Sequence, residues 1–91
     1  MINEIYGIYD LAAECYVQFI PCQNSAVAKM TFEKLYKDKR LNVPMLYDYP
    51  NLYEVRKLAT FDDNSGRFDN VEMQDLFINF GSIDENLKVP Q

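Results

Sequence analysis

The residue types that usually carry catalysis at neutral pH are scarce in this chain. Its 91 residues contain no histidine, which removes the commonest general base and the commonest transition-metal ligand. The two cysteines, Cys15 and Cys22, lie on either side of a predicted strand that ends at Pro21. In a continuous strand they point to opposite sides, so a disulfide forms only if the strand breaks sharply at Pro21. We therefore expect two free thiols, as in a reducing compartment, and no Cys–His nucleophile pair.

The acidic segment from Asp62 to Gly66 is the second place where chemistry could occur. A calcium loop of the EF-hand type needs oxygen ligands at positions 1, 3 and 5 and glycine at position 6. With Gly66 at position 6, Phe61 takes position 1 and cannot bind calcium. The carboxylates of Asp62 and Asp63 would point apart in a strand, which disfavours an acid–base pair. A hairpin turn in which Asp62 accepts backbone N–H groups explains the segment, and we expect no catalytic residue, metal or cofactor.

Positive charge is concentrated in one stretch of the chain. Five of the nine basic residues lie within twelve positions, and two more follow on a predicted strand. Together with nearby tyrosines they could bind single-stranded nucleic acid, since bases stack on aromatic rings while cations contact phosphates. The alternative is a solvated helix face whose lysines compensate the helix dipole. The candidate nucleic-acid contacts are Lys29, Lys34, Lys37, Lys39, Arg40, Arg56 and Lys57.

The net charge of −5 comes from the last third of the chain. Residues 1–57 hold seven acidic and seven basic residues, whereas residues 58–91 hold seven acidic and two basic ones. Affinity for a phosphate backbone grows with the number of Lys and Arg contacts, so an acidic protein is a poor general binder of polyanions. Any nucleic-acid surface must therefore be a local patch.

Length and composition predict one domain without a membrane segment. The hydrophobic fraction of 48% and the aromatic fraction of 14% are sufficient for a core. There is no run of about 18 apolar residues and no basic region followed by an apolar stretch at the N-terminus, so we expect neither a membrane span nor a signal peptide. We predict a single α+β domain over residues 2–80, a flexible C-terminal tail over residues 81–91, and a cytosolic location.

Local sequence patterns place the candidate contacts on one helix and one strand. The spacing of apolar residues predicts a helix from Ala26 to Lys39, capped by Asn24 or Ser25, which carries most of the basic stretch. Alternation predicts the strands, and Pro21 is expected to end the second of them because proline cannot donate to the ladder. The predicted strands are Ile5–Tyr9, Cys15–Ile20, Leu52–Phe61 and one that begins at Arg67.

The remaining segments are less regular. Residues 41–51 contain two prolines and two tyrosines and predict an ordered crossing on the surface, whereas the segment from Val71 to Ile78 is compatible with either helix or strand. The order ββαββ predicts an antiparallel sheet of about four strands with one helix packed on one face. Because one helix cannot cover both faces of such a sheet, we expect a homodimer. Most of the following tyrosines are expected in the core or an interface and not at a ligand: Tyr6, Tyr9, Tyr16, Tyr36 and Tyr53.

Short motifs spread over residues 5–68 carry a family resemblance. In order they are Tyr9-Asp10, Ala13-Glu14-Cys15-Tyr16 leading to Phe19 and Pro21, Ala28 with Phe32, Pro50 with Tyr53 and Val55, and Phe61-Asp62-Asp63 with Gly66. This ordered combination resembles the small non-structural protein of gokushovirus-type microviruses, which are tailless single-stranded-DNA phages. The chain departs from the family pattern at Ala59, where the family usually has glycine, at Val55, where it has leucine, and from Leu41 to Tyr49.

The resemblance implies an early, non-capsid phage protein that binds DNA or is associated with replication, and that assists the switch to single-strand synthesis. On this basis we expect a non-enzymatic protein in the host bacterial cytoplasm that binds single-stranded DNA or a phage or host replication protein. The alternative is a protein–protein adaptor. Its acidic C-terminal part would engage a host factor or the phage replication initiator without contacting DNA.

Overall fold

The chain folds into an antiparallel sheet with a helix on one side, which confirms the predicted α+β class. The computed structural model describes residues 1–71 and 76–83. The strands are β1 Ile2–Asp10, β2 Cys15–Cys22, β3 Tyr53–Asp62, β4 Arg67–Asn70 and β5 Leu76–Asn79, and the helix α1 is Ser25–Lys37. The strand order is β2-β1-β3-β4, and β5 also pairs with β3. The sheet therefore has one strand more than the predicted ββαββ order.

The first hairpin is longer than predicted on both strands. β1 begins at Ile2, and β2 continues through Pro21 to Cys22, so the prediction that Pro21 ends the strand was wrong. Pro21 lies opposite Ile5 of β1. β2 is the outermost strand of the sheet, and proline is tolerated on such an edge because its missing N–H can face outward.

Both ends of α1 are defined by local interactions, a side-chain cap at the start and a change of backbone conformation at the end. The side chain of Asn24 accepts the N–H of Val27 at 2.9 Å, so Asn24 is the N-cap. The helix ends at Lys37, two residues earlier than predicted, because Lys39 adopts a left-handed φ of 54°. The buried side of α1 packs on β1, where the rings of Phe32 and Tyr6 meet edge to face with centroids 6.2 Å apart.

The segment of residues 41–51, which the sequence predicts as an ordered surface crossing, also contributes three side chains to the core. It forms two 3-10 turns, Pro44–Leu46 and Pro50–Leu52. Leu41, Val43 and Leu46 are buried. The hydroxyl of Tyr47 accepts the N–H of Leu41 at 2.9 Å and donates to the carbonyl of the same residue at 3.1 Å, which closes the loop on itself. The ring of Tyr47 stacks on that of Tyr36 of α1, with centroids 5.6 Å apart.

Residues 76–83 extend the fold beyond β4. Leu76–Asn79 is a strand, which decides the helix-or-strand alternative for this part of the predicted segment. Residues 80–83 are helical, and Phe80 and Ile83 are buried. Ile83 packs into the core, and the flexibility expected for the tail of residues 81–91 stays a prediction. The rest of that tail, residues 84–91, lies outside the described residues, as do residues 72–75, and the limits 2–80 for the domain stay a prediction.

The two sides of the sheet differ in what packs on them. Side chains of directly opposed residues on paired strands project to the same side. The fully buried pair Ile8 and Val55 faces α1, whereas the neighbouring pairs of β1 and β3 project away from it. We call this second side the open face. It carries Tyr9, Tyr16, Phe19, Glu54, Arg56, Leu58 and Leu76.

Candidate nucleic-acid interface

The five cations of the basic stretch lie on α1 and immediately after it. Lys29, Lys34 and Lys37 are within the helix, and all three are exposed. They are exposed because the other side of the helix, formed by Ala28 and Phe32 among others, is buried against the sheet. The helix therefore brings these lysines together on the solvent side of the molecule.

The end of α1 places two further cations next to the last turn. The N–H of Lys39 bonds the carbonyl of Tyr36 at 3.1 Å, and the N–H of Arg40 bonds the carbonyl of Leu35 at 2.9 Å. This pair of bonds is the Schellman arrangement, in which the first residue after the cap takes a left-handed conformation. That residue is usually glycine, but here it is Lys39. The arrangement fixes the backbone from which the exposed side chains of Lys39 and Arg40 project.

Most of these five cations have no acidic partner within residues 1–71 and 76–83. Lys34 pairs with Asp38 at 3.3 Å, four positions along the chain, in a solvent-exposed ion pair. Lys29, Lys37, Lys39 and Arg40 form no ion pair with those residues. Residues 29–40 contain five cations and two acids, Glu33 and Asp38, which leaves a local excess of three positive charges. This excess is larger than the half negative charge at the C-terminus of a helix, so the patch remains attractive to phosphate.

Lys57 does not join this patch. It lies opposite Tyr6 on the side of the sheet that faces α1, and its Nζ bonds Oε2 of Glu4 at 2.8 Å. The hydroxyl of Tyr6 donates to the other oxygen of Glu4 at 2.7 Å. Burial alone would raise the pKa of Glu4, but the bonds from Lys57 and Tyr6 outweigh it and hold that pKa below its usual value. The ammonium group of Lys57 is therefore already paired with the carboxylate of Glu4.

Arg56 lies on the open face and is also paired internally. Its Nε bonds Oε1 of Glu54 at 2.9 Å, and its guanidinium carbon stands 3.9 Å from the ring centre of Tyr9. Arg56 and Lys57 thus project to opposite sides of the sheet, and the structure divides the seven predicted contacts into three places. Only Lys29, Lys34, Lys37, Lys39 and Arg40 lie together.

Sequence reasoning missed the acids that neutralise the two strand cations. Glu54 stands two residues before Arg56 on β3, and side chains two apart on a strand share a side, so this pair was detectable from spacing. Glu4 is fifty-three positions from Lys57 and meets it only through the pairing of β1 with β3. No local signal in the sequence indicates that second partner.

A groove at the end of the first hairpin is a separate concavity. Its volume is about 550 Å³, and it is lined mainly by apolar side chains. The carboxylate of Asp10 lies at its wall and accepts the N–H groups of Ala13 and Ala12, each at 2.9 Å, which lowers the pKa of Asp10. The carboxylate of Asp10 therefore stabilises the turn to which it belongs. The lining residues are Asp10, Ala12, Ala13, Met45, Tyr49, Leu52 and Tyr53.

Comparison with known proteins identifies a family. Residues 3–83 match the family model described as Phage ORF5 protein. No curated protein and no solved structure matches the chain. In the part of the chain that the structure describes, no helix is long and apolar enough to cross a membrane. Because the match spans more than half of its length, the chain belongs to the Phage ORF5 protein family.

Proposed function

We propose that this member of the Phage ORF5 protein family is a non-enzymatic accessory protein of a microvirus, and that it binds single-stranded DNA during phage DNA replication in the host bacterial cytoplasm. Its contact surface is the basic patch, which we define as Lys29, Lys34, Lys37, Lys39 and Arg40. The resemblance to the small non-structural protein of gokushovirus-type microviruses supports the association with replication. Arg56 and Lys57 were also predicted as contacts from the sequence, but in this proposal they contribute less to DNA binding than the basic patch does.

One observation carries the proposal, namely that the cations of the basic patch are exposed and largely unpaired within the described residues, whereas the strand cations are neutralised. Lys57 and Arg56 bond Glu4 and Glu54. A phosphate that approached either would compete with a carboxylate already in place, which costs desolvation. Lys37 and Arg40 form no such ion pair in residues 1–71 and 76–83, so they can contact phosphate and release its counterions.

The test is a titration of a labelled single-stranded oligonucleotide with the protein, followed by fluorescence anisotropy at two salt concentrations. We expect binding that weakens clearly as salt rises. The Lys37→Glu/Arg40→Glu double variant should bind at least about 10-fold more weakly at low salt, and its salt slope should be shallower by roughly 0.7 for each lost phosphate contact. Circular dichroism should show an unchanged fold, since both side chains are exposed.

The matched control is Arg67→Glu beside the single variant Lys37→Glu, because both change the net charge by the same amount. Arg67 is exposed on β4 and pairs with Asp69 at 3.1 Å. Affinity should fall for Lys37→Glu and change much less for Arg67→Glu. Equal losses in the two variants would mean that net charge, and not the basic patch, governs binding.

The competing proposal is an adaptor that binds a replication protein without contacting DNA. The observation in its favour is that the open face exposes large apolar side chains, of which Phe19 is 59% and Leu76 58% exposed. Affinity purification from infected cells with nuclease present separates the two functions. Phage or host replication proteins that remain bound after nuclease treatment, together with no oligonucleotide binding at low salt, would favour the adaptor.

A further inference from the structure

We infer that the open face is a homodimer interface, occupied by the open face of a second copy of this chain. This inference does not depend on the proposed DNA role, since α1, which carries Lys29, Lys34 and Lys37 of the basic patch, packs on the other side of the sheet. The first argument is coverage. α1 packs on one side of the sheet only, through contacts such as that between Phe32 and Tyr6. On the opposite side Phe19 and Leu76 remain more than half exposed.

The second argument is the shape of the open face. Gly7 lies at the centre of the open face and has no side chain. The neighbouring side chains occupy the space that a side chain at this position would take. A Cβ atom placed on Gly7 would stand 2.7 Å from Cδ1 of Leu58 and 2.8 Å from Cδ1 of Tyr16. The rings of Tyr16 and Phe19 lie next to each other on the open face, with centroids 6.0 Å apart. A central glycine filled by its neighbours gives a smooth apolar surface, which suits the packing of one sheet on another.

The third argument is charge. The cation of the open face is Arg56, and it is balanced there by Glu54 and stacked on the ring of Tyr9. A second apolar sheet face can cover such a neutral, hydrogen-bonded pair without leaving an unpaired buried charge. A polyanion would gain little from it, because nucleic-acid affinity depends on cations that are free to contact phosphate. The charge therefore favours a second copy over DNA as the occupant.

The fourth argument is area. Strands lie about 4.8 Å apart and rise about 3.3 Å per residue, so a face of four strands offers on the order of 600 Å² from each protomer. Two such faces reach the lower end of the range for specific interfaces, which begins at about 1,200 Å² in total. The segment of residues 84–91 is a poor substitute as a cover, because Leu87 and Val89 are its only aliphatic residues. Ile83, which precedes it, is buried on the α1 side with Phe80.

The experiment is sedimentation equilibrium on the full chain over a series of micromolar concentrations. We expect the wild type to sediment with twice the mass of one 10.7 kDa chain. Phe19→Asp should raise the dimer dissociation constant by at least about 30-fold, because it places one carboxylate from each protomer in an apolar interface. Met30→Asp is the matched control, since Met30 is 70% exposed on α1 and should leave the dimer intact.

Three results would overturn the inference. The first is a wild type that stays monomeric throughout the concentration series. The second is an equal change of the sedimenting mass in the Phe19→Asp and Met30→Asp variants. The third comes from the oligonucleotide titration. If Phe19→Asp lost affinity for single-stranded DNA while the mass did not change, the open face would be a platform for stacking bases. Circular dichroism of both variants verifies that each is folded, so every result bears on the interface.

Discussion

At the scale of single residues, Lys39 is the most informative position. A lysine with a φ of 54° costs about 1 kcal/mol or more, because its Cβ crowds the following carbonyl oxygen. Glycine would fit this position without that cost. Strained residues persist where another role outweighs the loss of stability, and in the proposed function the charge of Lys39 within the basic patch would be such a role.

Replacing Lys39 by glycine should therefore separate stability from binding. We expect Lys39→Gly to raise the free energy of unfolding by roughly 0.5 kcal/mol, since the relief of strain exceeds the entropy cost of glycine. The same variant should bind single-stranded DNA a few-fold more weakly because one phosphate contact is lost. Urea denaturation and anisotropy measure the two effects.

The control for this experiment is Lys39→Ala, which removes the same charge but keeps a Cβ. It should lose affinity to the same extent and gain no stability. If the affinity of Lys39→Gly equalled that of the wild type, Lys39 would not contact DNA.

At the scale of elements, the helical residues 80–83 are part of the fold. Phe80 is fully buried, and its ring packs against Phe32 at 6.4 Å and Tyr36 at 5.4 Å between centroids. Phe80→Ala should lower the free energy of unfolding by about 3 to 5 kcal/mol, as for other buried phenylalanines. Tyr49→Ala is the comparison, since Tyr49 is 53% exposed and its removal should cost much less. Equal midpoints of urea denaturation in the two variants would place Phe80 outside the core.

The elements show which parts of the fold could be predicted from sequence. α1 was predictable because Ala28 and Phe32 recur at helical spacing after a capping residue. The burial of Leu41, Val43 and Leu46 in the loop of residues 41–51 was not, because these residues follow no regular period and their burial depends on tertiary packing. The basic patch could be predicted from the sequence, since its cations lie close together along the chain, on α1 and immediately after it. The neutralisation of Lys57 by Glu4 could not, because it depends on strand pairing across fifty-three positions.

At the scale of the whole molecule, carboxylates in three separate places stabilise the folded state. Asp10 and Asp62 accept backbone N–H groups of their own turns, chiefly those of Ala13 and Asn64, and these bonds lower the pKa of each carboxyl. The pKa of Glu4 is also lowered, because the bonds from Lys57 and Tyr6 outweigh the effect of burial. Each group thus favours folding in its ionised form.

The free energy of unfolding should consequently fall on acidification. A carboxyl whose folded pKa is depressed contributes its full stabilisation above the unfolded pKa of about 4, and loses it as the pH falls through the folded value. Urea midpoints should be steady from neutral pH to about pH 5 and should drop below it. The Glu4→Gln/Asp10→Asn/Asp62→Asn variant should show a flatter profile, and an equally steep drop in that variant would assign the acid sensitivity to other groups.

The proline in β2 also bears on how this protein could assemble. An outer strand normally offers its unpaired N–H and C=O groups to another chain, which is the route to fibres. Here β2 carries Pro21 and a register shift beside Ile8, while β4 has four residues, among them the charged Arg67 and Asp69. Strand addition is thus hindered at β2 and at β4, and if two copies pair through the open face, as we propose, that surface is used up after two copies. Assembly would then stop at a closed pair, so the protein could accumulate in an infected cell without forming filaments.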